Sequence, residues 1–456
     1  MNFAFFDLET TGISPAFDQP LQFAAILTDA HFREIERVDL RCRIAPHIIP
    51  SPIALAVTGV HPAQLVDPSL PNLFEFTQSV LDLVARWSPA IWTGFNSIRF
   101  DEEMLRQAFY QNLQADIFAT QFNGNTRFDI MTAVHAVWHR RPDLLAWPVD
   151  ETGRVRFNLD RLAPLNGFED HNAHDALGDV EATIHLARAI AQRDPGLWAE
   201  LLDNRDKAHV QARIESFLPM TLVGRFAAGP PKAIVGCFCG YSVKNPHQAA
   251  FFDLDAGDPA DWVTADDAAV FAAVDGAPRI IHAVSINKCP ALLALQDPSS
   301  EHSRRARVIA DAPEFRDRVS RALAARFPEA PDAPPPPVEK QIFDGFYSPA
   351  DKALLRKFQS ADWRRRREIV SAFADARLRQ LGRRLIAFHA PDLLSAGERQ
   401  QFDDWLRVKW TAPDLPATEW MTFEKARRAL DEMRADGSYD SGIVDEIDAF
   451  LDSLGA

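Results

Sequence analysis

Residues 2–12 read NFAFFDLETTG. Phe3 to Glu9 is a short apolar run interrupted by two acids, and Thr10-Thr11-Gly12 is turn material. A strand alternates its side chains with a period of two, so Asp7 and Glu9 point to one side of this segment. Phe6 and Leu8 face the other side and anchor the strand in a core. Two carboxylates projecting together from an apolar strand are unfavourable unless a cation or a shared proton compensates. The bland alternative is a strand end that surfaces into solvent, where acids are tolerated.

Outward from this strand, residues 1–193 read as an α/β domain. Leu21 to Thr28 and Val38 to Ile44 are expected strands, the second alternating Val38, Leu40, Cys42 and Ile44 with polar neighbours. Ala90 to Thr93 is a further buried strand. Helical patterns cover Leu73 to Trp87, Asp101 to Asn112, Asp129 to His139 and Asp175 to Arg193. In the last, Leu177, Val180, Ile184, Ala187 and Ile190 form an apolar stripe. Strands with helices around them imply a mixed sheet covered by helices.

Two further segments carry chemistry-bearing residues. Thr93 to Asp101 reads TGFNSIRFD, a strand end, a Gly/Asn/Ser turn and an acid that opens a helix. Alone, Asp101 reads as a helix cap and Asn96 as a turn residue. Asn172 to Asp179 reads NAHDALGD, with His174 before a helix and Asp179 about one turn inside it. Alone, a histidine at a helix start is more often structural than catalytic. Together the three segments supply Asp7, Glu9, Asp101, Asp179 and His174, the inventory for two divalent metals and a general base. Mg²⁺ prefers carboxylate and water oxygens. Two such ions about 3.5–4 Å apart can hold both the attacking and the leaving oxygen of a phosphoryl displacement. A histidine is suited to take a proton near neutral pH. A glycosidase reading of Asp7 and Glu9 fails, because one strand face puts both acids on the same side of any bond.

The rest of the chain sets limits. Its 456 residues predict two or three domains. At 47% hydrophobic and 25% charged it is globular, and four cysteines exclude a disulfide scaffold. Cys237 and Cys239 have no second pair at zinc-site spacing. The first residues lack the basic segment of a signal peptide, no run is long and apolar enough to span a membrane, and the expected location is the cytoplasm. A net charge of −15 removes any global attraction to nucleic acid but leaves room for a local basic channel. Residues 195–345 read as a second domain with strands at Ala233 to Tyr241, Ala249 to Leu254 and Arg279 to Ile286. It ends at six prolines between Pro328 and Pro337, a stiff boundary segment. Residues 346–456 read as helical. From Arg356 to Arg384 ten basic residues stand against three acidic ones, either a solvated face or a phosphate-facing surface.

Asp7-Leu8-Glu9-Thr10, Asn96 to Asp101 and His174 to Asp179 make the chain resemble the His-type DEDD 3′–5′ exonuclease superfamily. Within it, Ile13 to Pro20 with Gln22 to Ile26, Ser285 to Pro290, and Phe343 to Tyr347 resemble the bacterial exodeoxyribonuclease I family. The resemblance spans nearly the whole chain. It implies a ribonuclease H-like α/β domain, then an SH3-like β domain and an all-helical C-terminal domain, together guiding single-stranded DNA with a free 3′ end to the site. It implies that Asp7, Glu9, Asp101 and Asp179 are the carboxylates for two Mg²⁺ ions, with Mn²⁺ able to substitute, and that His174 is the general base. Glu9, Thr10, Asn96, Arg99, Phe100, Asn158, Asn287 and Lys288 are the expected substrate contacts, with Phe100 equally readable as core. Asn158 departs from the family, which has an arginine there, and Arg156 or Arg161 would take over its phosphate contact. The implied activity is release of nucleoside 5′-monophosphates in DNA repair and recombination, by a monomer that docks the acidic tail of a single-strand-binding protein. The rival readings are the same chemistry on RNA or frayed duplex ends, and an inert single-stranded DNA-binding protein.

Overall fold

In the computed structural model, residues 1–168, 175–226, 229–327 and 335–455 are described. The first sheet contains β1 (Asn2–Thr10), β2 (Pro20–Thr28), β3 (Glu34–Arg41), β4 (Ala90–Gly94) and β5 (Thr126–Asp129), in the order β3-β2-β1-β4-β5. β1 is central, antiparallel to β2 and parallel to β4. The helices of this part are α1 (Pro52–Thr58), α2 (Pro62–Leu65), α3 (Leu73–Trp87), α4 (Asp101–Gln111), α5 (Ile130–Arg140), α6 (Leu159–Leu165), α7 (Ala176–Arg193), α8 (Pro195–Asp203) and α9 (Lys207–Ile214).

The alternation of β1 decides how the layers stack. Ala4, Phe6 and Leu8 join a core with Val80 and Val84 of α3 and Met104 and Leu105 of α4. Phe3 and Phe5 join the opposite core with Val134 and Val137 of α5 and Val180 and Ile184 of α7. Asp7 and Glu9 continue the Phe3–Phe5 face beyond the last β4 pairing at Phe5. They emerge there at the carboxyl end of the parallel strands, where ligand sites of open α/β sheets form.

Two details differ from the sequence reading. β3 ends at Arg41 although the apolar alternation runs on to Ile44, because the amides of Arg43 and Ile44 donate to Pro71 and Leu65 instead of the sheet. Also, Leu197, Trp198 and Leu201 of α8 pack in the first core, so that core continues past the boundary expected between residues 193 and 195.

The second sheet is wholly antiparallel, with β6 (Met220–Gly224), β7 (Lys232–Tyr241), β8 (Gln248–Asp253), β9 (Ile281–Ser285) and β10 (Ala291–Ala294) in the order β10-β6-β7-β8-β9. α10 (Pro259–Val263), α11 (Asp267–Asp275), α12 (Ser300–Ala310) and α13 (Pro313–Ala325) cover one face, burying Cys237, Cys239 and Phe252. The other face packs on Val210 and Ile214 of α9. Both cysteines are therefore apolar filling. Residues 328–334 of the proline-rich segment lie outside the described residues.

The C-terminal part is helical: α14 (Pro349–Ser360), α15 (Trp363–Ala372), α16 (Ala376–His389), α17 (Ala396–Thr411), α18 (Phe423–Asp436) and α19 (Ser441–Gly455). Among the described residues, its core clusters are shared with the first part. Phe74, Tyr110 and Leu113 pack with Val338, Leu355 and Phe358, while Leu21, Leu55 and Leu65 pack with Leu430, Ile447 and Leu451. Among the described residues no helix is long and apolar enough to cross a membrane.

Candidate active site

β1 delivers Asp7 and Glu9, and α7 delivers Asp179 from its first turn. One carboxylate oxygen from each of the three lies within 4.8 Å of the others. Asp101 arrives differently. It is the first residue of α4, with Phe100 in the cap position, so it is not the helix cap that its place in the sequence suggests. Its Oδ1 instead accepts the backbone N–H of Leu8 at 3.2 Å, and the side chain is buried.

The loop before Asp101 is shaped by close backbone approach. A Cβ at Gly94 would meet the Phe6 carbonyl at 2.5 Å, so only glycine lets the loop leave β4 against β1. Asn96 then takes a left-handed φ of 66°, which asparagine tolerates better than most residues. Asp129, buried at the end of β5, holds the loop. Its Oδ1 accepts from Asn96 N and Met131 N, both at 3.0 Å, and its Oδ2 accepts from Ile98 N at 3.2 Å. Sequence reading missed Asp129 because β5 has only four residues and shows no alternation.

The electrostatics of Asp7, Glu9 and Asp101 are those of a site built around a cation. Burial first, then the charges of Asp101, Asp179 and Glu9, push Asp7 well above the usual carboxylate range. Glu9 is pushed up to about 9 by burial and by Asp179, Asp101 and Asp175, with Arg41 acting the other way. Asp101 is pushed up to about 8, mainly by burial. Oxygen-only donors that resist ionising together suit a hard divalent cation, which would replace the missing positive charge. The donor set fits.

The other expected residues fall into three groups. Asn96, Asn158 and Asp179 line one cavity of about 320 Å³, and Arg99 is exposed on the loop beside it. Asn158 sits at the start of α6 without a side-chain cap bond. Arg156 pairs with Asp150 at 2.6 Å, whereas Arg161 is exposed in an adjoining cavity that Asn158 also lines. Thr10 and Phe100 turn inward: the Thr10 hydroxyl donates to the Gly12 carbonyl at 2.7 Å, and Phe100 packs on the α3–α4 core. Asn287 and Lys288 serve an internal contact. The Asn287 carbonyl accepts from Arg127 at 2.5 Å, and Lys288 Nζ reaches Glu103 at 3.4 Å. His174 lies outside the described residues.

The basic run in the C-terminal part is mostly structural. Arg366 is buried, donates to the Phe358 and Gln359 carbonyls, and stacks over Trp363 and Phe74. Arg377 pairs with Asp375, and Arg384 with Glu339. Arg365 and Arg367 pair with Glu368 and Glu398, and Arg379 donates to the carbonyls of Phe373 and Ala374. Arg356, Lys357, Arg364 and Arg383 remain exposed, without an ion pair among the described residues.

A mixed sheet whose central strand carries two acids toward Asp101 and Asp179, on two different helices, defines an exonuclease of the DEDD class. Residues 4–187 match the family described as Exonuclease, and residues 336–454 match the Exonuclease I C-terminal domain. The chain is 30% identical over 433 residues to exodeoxyribonuclease I of Escherichia coli (strain K12), covering 90% of each. It belongs to the exodeoxyribonuclease I family. Its structure is similar to that of E. coli Exonuclease I in complex with a dA16 oligonucleotide, with a TM-score of 0.84 at 26% identity over 99% of both chains. It is also similar to an SSB/Exonuclease I structure in complex with the inhibitor CFAM, with a TM-score of 0.82 at 26% identity over 99% of both chains.

Proposed function

We propose that this exonuclease degrades single-stranded DNA from its 3′ end and releases nucleoside 5′-monophosphates, acting in DNA repair and recombination. The observation that carries the reading is the convergence of Asp7, Glu9 and Asp179 within 4.8 Å, with Asp101 bonded into the same strand. These four acids would hold two Mg²⁺ ions, or Mn²⁺ in their place. When bound, such ions polarise a phosphodiester, lower the pKa of water and stabilise a leaving oxygen.

The chain's own groups do the rest. His174 takes the proton of the attacking water, an assignment that rests on its spacing from Asp179. The loop from Asn96 to Arg99 and the exposed Asn158 border the cavity where the strand end lies. Thr10 contributes through its backbone, since its hydroxyl is engaged with Gly12. The E. coli relative bound to dA16 supports a single-stranded substrate. The SSB/Exonuclease I structure supports docking of the acidic tail of a single-strand-binding protein.

The test compares single-stranded DNA, blunt duplex and RNA of one sequence, each with Mg²⁺ and with chelator. The reading expects fast metal-dependent degradation of the single DNA strand alone. Equal degradation of RNA would overturn the substrate class. Tight binding of single-stranded DNA without cleavage would overturn the activity.

A further inference from the structure

The second sheet sends one residue into the active-site cavity. Its strand β6, between β10 and β7, packs against α5 and ends at Gly224. The chain rejoins the sheet at Lys232, next to Pro231, whose carbonyl lies 3.0 Å from His139 Nε2 near the end of α5. Between these points, Arg225 reaches the other end of α5 and lines the cavity of about 320 Å³ together with Met131. Its charge, after burial, helps to hold the His135 imidazole of α5 below its usual range.

Asn96, Asn158, Asp160 and Asp179 also line that cavity, and Arg225 is the only cation among its described lining residues. The side chain is exposed and has no carboxylate or hydrogen-bond partner among the described residues. A phosphate entering the cavity without Arg225 would meet carboxylates and neutral amides. With it, the phosphate meets a planar fork of donors matched to its oxygens.

We propose that Arg225, contributed by the second sheet, is a substrate-binding residue of the exonuclease site that grips a phosphodiester of the bound strand across the cavity from Asp179. This rests on the single-strand exonuclease reading above. It makes the second sheet part of the substrate site. It also supplies there the cation that Asn158, on the same cavity, does not.

The test measures KM, kcat and their salt dependence on a single-stranded oligonucleotide for wild type, Arg225→Ala, Arg225→Lys and Arg225→Ala with Asn158→Arg. Arg225→Ala should raise KM about 10-fold or more with little change in kcat. It should also flatten the log KM against log salt plot by about 0.7. Arg225→Lys should restore part of the loss, and Asn158→Arg, which puts a guanidinium on the same cavity, should restore part in the Ala background. An Arg225→Ala enzyme with wild-type KM and salt slope would overturn the proposal. Anisotropy of a labelled strand bound to the metal-free protein gives an arm independent of cleavage. If wild type bound but did not cut, the exonuclease reading would fall, while weaker binding by Arg225→Ala would still support the phosphate contact. A lower melting temperature in the Ala variant without rescue by Lys or Asn158→Arg would mark Arg225 as structural and overturn the proposal.

Discussion

The carboxylate of Asp101 accepts the backbone N–H of Leu8 at 3.2 Å, so the acid that opens α4 is bonded to β1 at the residue between Asp7 and Glu9. That bond fixes the spacing between two segments that lie far apart in sequence. It also uses only one lone pair of the carboxyl group and holds that group beside the other acids, where burial resists its ionisation. Geometry and electrostatic strain therefore come from the same contact.

Asp101→Asn separates the two. The amide oxygen can still accept from Leu8, but the group can no longer ionise. Without metal at about pH 9, where the wild-type carboxyl ionises, the melting temperature should rise by about 1 °C, the response of a chain of 456 residues to relief of roughly 1 kcal/mol. Mg²⁺-dependent turnover should fall by about 100-fold or more. A thermal melt and an initial-rate assay check this, and a variant that melts lower than wild type would contradict it.

The raised acids set a pH dependence. Glu9 near 9 and Asp101 near 8 stand above their unfolded values of 4.5 and 3.8, so the metal-free native state holds more protons than the unfolded chain across that window. Their contribution to stability is fully present below the unfolded values and is lost as pH rises through the folded ones. The part of the melting temperature due to these groups should fall as pH rises. The gain on adding Mg²⁺ should be larger at about pH 8.5 than at about pH 6, because bound metal replaces those protons. Melts at the two pH values, with and without Mg²⁺, measure it.

Asp129 is a positioning residue. Asp129→Ala strips the acceptor from the amides of Asn96, Ile98 and Met131. At about 1–3 kcal/mol for each unsatisfied buried amide, the variant should lose about 3 kcal/mol or more. Asp129→Asn keeps one oxygen acceptor and should lose less. Denaturant titration of both variants tests the order, and an Ala variant within about 1 kcal/mol of wild type would refute it.

The joint between the first part and the second sheet runs through Arg127. Its guanidinium pairs with buried Glu102 at 2.6 Å and donates to the Asn287 carbonyl. Arg127→Met should cost about 3–5 kcal/mol by leaving Glu102 poorly compensated. Adding Glu102→Gln should recover part of that. A double variant less stable than the single one would contradict the pairing.

How much of this was legible in the sequence follows from the physics of each element. β1 could be read because its two faces differ, with Phe6 and Leu8 on one core and Asp7 and Glu9 continuing the other face. α3 and α7 could be read from stripes long enough to show a period. β5, β6 and β10 have four or five residues, too few for any period, and Asp129 and Arg225 were missed with them. Charge was the least readable. Arg366, Arg377 and Arg384 look like a basic surface in the sequence, yet each meets a group from far along the chain: the Phe74 ring, the Gln341 carbonyl and the Glu339 carboxylate. Lys288 looked free for the same reason, since Glu103 reaches it from α4.

The most direct test of the central claim is the fate of a 5′-labelled single DNA strand with Mg²⁺, with wild type and Asp7→Ala side by side. The account predicts a ladder that shortens stepwise from the 3′ end with wild type and an intact strand with Asp7→Ala or with chelator. Equal ladders from the two proteins, or immediate loss of the label as a mononucleotide from the 5′ end, would contradict it.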